Sequence, residues 1–300
     1  MLLEALMSWT ALLLVVCAAF IHAGWNLLSK RAAMAGAHFV FAYSFFAILF
    51  YFPITLWVVF TQGNMPWTSE TITCLVLSAL LHMCYSLSLQ KGYQVADLSV
   101  VYPIARGTGP MLSSIGAFIL LGEPVRPLGV LGILLVVMGI LLIATQGRLR
   151  RFFSPAALTG VRWGMQTGIL IAAYTVVDAY GVKVLLISPF LLDWFSNVLR
   201  LGMLAPFIAK RGRAGFVKFK PYWKLAAAVG LLSPMSYILV LQALSMGAPL
   251  SMVAPAREMS MMAGTLLGMV VLRERANVWS LLGCAVMISG VIALTSGPAA

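Results

Sequence analysis

Acidic residues are scarce: eight Asp and Glu stand against 20 Lys and Arg in 300 residues, and the four charged types together make up only 9% of the chain. Soluble domains carry about 25% charged and about 45 to 50% apolar residues. Here 62% are apolar and the mean hydropathy is +0.99. No soluble fold of this size could hide that much apolar surface, so the chain reads as an all-α polytopic membrane protein. The net charge of +12 would suggest nucleic acid in a soluble protein. Because the basic residues fall between apolar segments, it reads instead as membrane topology.

Cysteine is nearly missing as well. Cys17, Cys74, Cys84 and Cys284 lie singly in apolar stretches with no Cys-x-x-Cys spacing, which supports neither a disulfide framework nor a metal site. There is no His-Glu-x-x-His, no Gly-x-Ser-x-Gly and no Gly-x-x-x-x-Gly-Lys-Ser/Thr, so the sequence points away from an enzyme, a cofactor and an ATP-driven pump. A ring of like charges or a repeated filter sequence, which a channel would need, is missing too. The first apolar stretch has Glu4 before it and Lys30-Arg31 after it, the wrong polarity for a secretory signal.

What is present is a series of apolar stretches about 20 residues long, the length that spans a bilayer core of about 30 Å as helix. Ten are expected, near 8–28, 38–60, 70–90, 97–121, 127–146, 162–183, 187–209, 223–243, 249–272 and 277–296. Fifteen Lys and Arg, from Lys30-Arg31 through the 148–151 and 210–224 stretches to Arg273 and Arg275, fall in or beside one set of alternate loops. Only Arg126 and Lys183 fall in the other set. That bias predicts that the first set is cytoplasmic and both termini lie outside, in an inner or plasma membrane.

The chain also repeats itself. Ala96-Asp97-Leu98-Ser99-Val100-Val101-Tyr102-Pro103 aligns with Ala248-Pro249-Leu250-Ser251-Met252-Val253-Ala254-Pro255 at an offset of 152. At 151 the match continues: Arg106 with Arg257, Leu121-Gly122-Glu123 with Leu272-Arg273-Glu274, Gly132 with Gly283, Gly139 with Gly290. Halves of 1–147 and 148–300 with five spans each must enter the membrane in opposite senses. Such inverted repeats build secondary transporters that rock about a midplane site.

Ionisable groups inside spans are costly and face a cavity or a partner. Arg106 and Arg257 stand out, each just after a proline that leaves a carbonyl unbonded. Ser99, Tyr102, Arg106, Gly109 and Ser113 share one helix face. Two arginines facing one cavity would anchor a carboxylate or phosphate. The opposing reading makes them structural, Arg257 paired with Glu258 or Arg106 with Asp178. Glu258 is offset about 100° from Arg257; buried without a close cation it would be a proton-coupling group, and a salt bridge would do the reverse.

His22 and Asn26 lie one turn apart on the first span, and the repeat sets Tyr174 and Asp178 at the equivalent places on the sixth. His22 is the residue type that titrates nearest neutrality. Asp193, Asn197 and Arg200 share a face of the seventh span, either shaping selectivity or forming a seam near the interface. Tyr85 and Tyr237 are repeat-matched aromatic wall candidates, with His82 one turn before Tyr85. Gly129, Gly132, Gly139, Gly283 and Gly290 read as close-packing positions, within one chain or between two.

With these motifs, Ala23-Gly24-Trp25-Asn26 and Lys30 on the first span, and Leu121-Gly122-Glu123 with Glu274, the chain resembles the EamA family of the drug/metabolite transporter superfamily over its full length. The resemblance implies ten helices in a basket around a central cavity, the fifth and tenth peripheral, and transport of small metabolites, amino acids or drugs, often by export. The expected cargo is an anionic or zwitterionic metabolite, with membrane lipids as surroundings, protons as the candidate coupling ion, and a monomer or homodimer as the assembly. A proton-coupled exporter of cationic drugs and a flippase of lipid-linked head groups are the alternatives.

Overall fold

A computed structural model describes residues 7–62, 67–147, 155–210, 212, 217, 220–271 and 277–296. The 272–274 counterpart of Leu121-Gly122-Glu123, the basic positions 148, 150, 151, 211, 213, 218, 273 and 275, and the Ser99 side chain lie outside the described residues.

Among the described residues the regular structure is helical: α1 (Trp9–Arg31), α2 (Ala37–Gln62), α3 (Ser69–Val95), α4 (Leu98–Leu120), α5 (Pro127–Thr145), α6 (Pro155–Lys183), α7 (Pro189–Lys210), α8 (Trp223–Ser245), α9 (Leu250–Ala256), α10 (Met259–Val271) and α11 (Val278–Thr295). Local chemistry sets the ends. The Ser8 hydroxyl accepts from the Ala11 N–H at 3.1 Å, Thr68 from Thr71 at 3.2 Å, and Asn277 from Trp279 at 2.9 Å, satisfying donors that a first turn leaves free. Pro127 opens α5, where its missing N–H takes nothing from the helix.

Among the described residues, seven helices are long and apolar enough to cross a membrane: α1, α2, α3, α5, α7, α8 and α11. The spans expected at 97–121, 162–183 and 249–272 are not among them. α4 carries Arg106 amid prolines, glycines and serines, α6 carries Arg162 and Asp178, and the last is cut into α9 and α10. The polarity of the bundle is that of a protein in lipid. Trp9, Phe60, Ile119 and Leu186 face outward, while His22, Arg106, Asp178, Arg200, Arg257 and Glu258 are buried. The chain is an integral, multi-pass membrane protein.

The main pairings are α5 on α11, α4 on α6, α1 on α8, α3 on α6, α2 on α7 and α8, and α1 on α10, with α9 against α4. Glycine sets the closest approach. An added Cβ at Gly139 would lie 2.7 Å from the Gly283 carbonyl oxygen, and one at Gly132 2.8 Å from that of Gly290. These glycines therefore join α5 to α11 within one chain. Gly160, Gly164 and Gly168, four residues apart on α6, do the same against α4, where a Cβ at Gly164 would meet the Val101 carbonyl at 2.8 Å.

Pro103 and Pro255 are repeat-matched, yet α4 runs on past its proline and the second helix breaks at Arg257-Glu258. Across the break the backbone bonds tighten to three-residue spacing: Glu258 N–H to Pro255 O, Ser260 to Arg257 and Met261 to Glu258, at 2.9 to 3.2 Å. The start of α9 is held by Glu123 from the α4–α5 turn, whose carboxylate accepts from the Leu250 and Ser251 N–H groups at 2.6 and 3.0 Å and from the Ser251 hydroxyl at 2.7 Å. Lys183 at the end of α6 closes this cluster, 3.0 Å from Glu123 Oε1 and donating to the Ala248 carbonyl at 3.2 Å.

Candidate functional site

The break turns two adjacent ionic side chains into the bundle. Arg257 lines a central cavity of about 50 Å³, with His22 and Trp25 of α1, His82 and Tyr85 of α3, and Tyr237 of α8. Tyr174 of α6, and Asp193, Asn197 and Arg200 of α7, belong to the same wall, as do Tyr43 of α2 and Ser233 of α8. Of the candidate residues, His22, Tyr85, Tyr237 and Arg257 thus share one cavity. The α7 trio is also part of its lining. Asn197 donates to Asp193 Oδ2 at 3.0 Å, Arg200 donates to Asn197 Oδ1, and the Arg200 guanidinium lies over the Tyr43 ring at 5.4 Å.

Arg106 does not face this cavity. Its Nε lies 2.6 Å from Glu258 Oε2, its Nη2 donates to the Ser260 hydroxyl at 2.8 Å, and its guanidinium stacks 5.8 Å over Tyr102. The Nε–carboxylate contact is ionic and is not aligned as a hydrogen bond. Arg257 Nε is 4.0 Å from the same carboxylate and has no hydrogen bond within the protein. Of the two structural pairings expected, Arg257 with Glu258 is therefore loose. Arg106 with Asp178 is replaced by Arg106 with Glu258, because α4 packs on α9 and brings Glu258 to it. The condition set for Glu258 as a proton-coupling group, no close cation, is not met in this arrangement.

Asp178 is fully buried just behind the cavity wall. Tyr237 donates to its Oδ2 at 2.5 Å and His82 Nε2 lies 2.8 Å from the same oxygen, while Oδ1 is without a partner in the protein. The His82 ring stacks on Tyr174 with centroids 4.0 Å apart and meets Tyr237 edge-on. The sequence marks His82 only as a neighbour of Tyr85; its place opposite an aspartate on another helix has no mark there.

Asn26 and Tyr102 line a second space, a cleft of about 290 Å³ between α1, α3, α4 and α10, together with Lys30, Tyr93, Ser260 and Thr265. Asn26 donates to the His22 carbonyl one turn back, at 3.0 Å. Ser260, missed in the sequence, is the point at which Arg106 touches this cleft. Outside the spans, burial disfavours the Glu123 charge, but Lys183 and the bonds from Ser251 and Leu250 outweigh it and hold the carboxyl below its ordinary range.

No curated protein matches the chain significantly. A protein of solved crystal structure shares the fold, with a TM-score of 0.71 and 15% identity over 95% of this chain and 98% of that one. Residues 9–145, covering α1 to α5, match the profile of the EamA-like transporter family. Over that first half the chain belongs to the EamA-like transporter family of the drug/metabolite transporter superfamily.

Proposed function

We propose that the chain is a secondary transporter that moves a small organic anion or zwitterion by alternating access, with ten helices in two inverted halves, 1–147 and 148–300. The helix pairings support the inverted halves, because they keep their pattern when the halves are exchanged. α1 on α8 becomes α6 on α3, α2 on α8 becomes α7 on α3, and α4 on α6 becomes α9–α10 on α1. α5 on α11 and α2 on α7 map onto themselves.

One observation carries the cargo class. Of the two repeat-matched arginines, Arg106 is held at 2.6 Å by Glu258, while Arg257, 4.0 Å from the same carboxylate, presents a buried guanidinium to the central cavity with no hydrogen bond from its Nε in the protein. Arg200 faces the same space, its Nε also without a hydrogen bond in the protein. The anchor for a carboxylate or phosphate is thus Arg257 with Arg200, not Arg257 with Arg106. Asp193 and the rings of Trp25, Tyr43 and Tyr174 line the same wall and suit an ammonium or an apolar body.

The test is uptake into proteoliposomes from a defined mixture of organic acids, amino acids and organic phosphates, read by mass spectrometry. Saturable accumulation of an anion or zwitterion, accelerated by the same solute inside, is the expected result. Accumulation of organic cations alone, or conductance that never saturates, would contradict it.

A further inference from the structure

The central cavity and the Lys30 cleft stand in series. His22 in the first and Asn26 in the second are one turn apart on α1; Arg257 and Ser260 are likewise separated only by the break between α9 and α10. Arg106 and Glu258 line neither space and lie between them. Glu258 is 4.0 Å from Arg257 on the cavity side, and Arg106 donates to Ser260 on the cleft side.

The volumes decide where a solute fits. A water needs about 10 to 15 Å³ of such space, and ligand pockets begin near 300 Å³. With the break as it stands, the central cavity, at about 50 Å³, holds a few waters and has to widen before Arg257 and Arg200 can seat a cargo, whereas the cleft, at about 290 Å³, already holds a small metabolite. Among the described residues Lys30 is the one charged residue lining the cleft, beside the Ser260 and Thr265 hydroxyls and the Tyr93 and Tyr102 rings, with Leu27 and Met261 as apolar wall. That set takes an anion with an apolar body.

We infer that the cleft is an anion-accepting vestibule on the transport path, and that the Arg106–Glu258 pair, tied to Ser260, is the lock closing it from the central cavity. The inference rests on the transporter reading above. Opening requires the pair to separate, and the three-residue bonding at 255–261 is the place where α10 can swing relative to α9 without unwinding either.

The probes are two thiol reagents of opposite charge, the anionic sulfonatoethyl and the cationic trimethylammonioethyl methanethiosulfonate, applied to the purified full chain and read by peptide mass spectrometry. Gly264→Cys places the thiol in the cleft, where an added Cβ meets nothing within 4 Å. Ser233→Cys places it in the central cavity. At position 264 the anionic reagent should be favoured, relative to a free thiol, by on the order of tenfold, and Lys30→Gln should remove that preference. At position 233 labelling should be roughly tenfold or more slower than at 264, and should rise toward it in Arg106→Gln.

Arg106→Gln strands a buried carboxylate and can compromise folding, so the double variant Arg106→Gln/Glu258→Gln, which removes the pair without stranding a charge, should release labelling at 233 as well. No anionic preference at 264, or equally fast labelling at 233 and 264 with the pair intact, would overturn the inference. Neither result touches solute uptake, so the vestibule can fail while the transport reading stands, and the reverse.

Discussion

Glu258 reaches from the break between α9 and α10 to within 2.6 Å of Arg106 on α4, joining the two halves of the chain by an ion pair in which both side chains are almost fully buried. Removing one partner of such a pair leaves the other charge without compensation in a dry interior, at about 3 to 5 kcal/mol. Arg106→Gln and Glu258→Gln should each lower the melting temperature of the detergent-purified protein sharply, and the double variant should lose clearly less than their sum. Additive losses in that cycle would mean the two residues do not interact.

The α5–α11 seam offers a sharper contrast. A Cβ at Gly139 would sit 2.3 Å from Met287 Cγ and 2.7 Å from the Gly283 carbonyl oxygen, so Gly139→Ala should destabilise by about 1 to 3 kcal/mol. A Cβ at Gly129, on the same helix, meets only Arg126 Cβ at 3.6 Å. Gly129→Ala should leave the melting temperature unchanged or raise it, since alanine is favoured over glycine in a helix by about 1 kcal/mol.

Glu123 ties the α4–α5 turn to the start of α9 and carries a pH dependence with a definite sign. Its carboxyl is held below the ordinary range in the folded chain, so its contribution is fully present above the unfolded value of about 4.3 and is lost as pH falls through the lower folded value. In melting scans from pH 7 to pH 3, Glu123→Gln should start less stable than wild type and converge with it in acid. Parallel curves would remove Glu123 from the acid sensitivity.

Asp178 has one oxygen shared by Tyr237 and His82 and one with no partner. Tyr237→Phe withdraws a donor from a buried carboxylate and should cost about 1 to 3 kcal/mol, measured as loss of thermal stability. Adding Asp178→Asn, which removes the charge, should recover part of it.

Much of this was legible in the residues, and the exceptions are instructive. Apolar length located the helices, and the exchange of Arg106 with Arg257 marked two of the places where charge enters the bundle. Their opposite roles were not legible. The repeat sets Gly107 opposite Glu258, so only one half carries an acid beside its arginine, but which arginine that acid would serve depends on α4 packing against α9. The break was not foreseen either: Pro103 and Pro255 look alike along the chain, yet only the second is followed by three-residue bonding, next to the one-residue shift in the repeat between Pro255 and Arg257. The Gly160, Gly164 and Gly168 stripe did have a visible four-residue spacing, while the glycines of α5 and α11 could be assigned to one chain only once their carbonyl contacts were seen.

The role given to Arg257 is tested most directly by thermal stability of the purified protein against a panel of carboxylates, phosphates, zwitterions and cations, with Arg257→Gln alongside wild type. A ligand at about one hundred times its Kd adds about 2.7 kcal/mol to the state it binds. Stabilisation by anionic or zwitterionic solutes that disappears in Arg257→Gln is the predicted result. Stabilisation by cations alone, or by anions undiminished in Arg257→Gln, would contradict it.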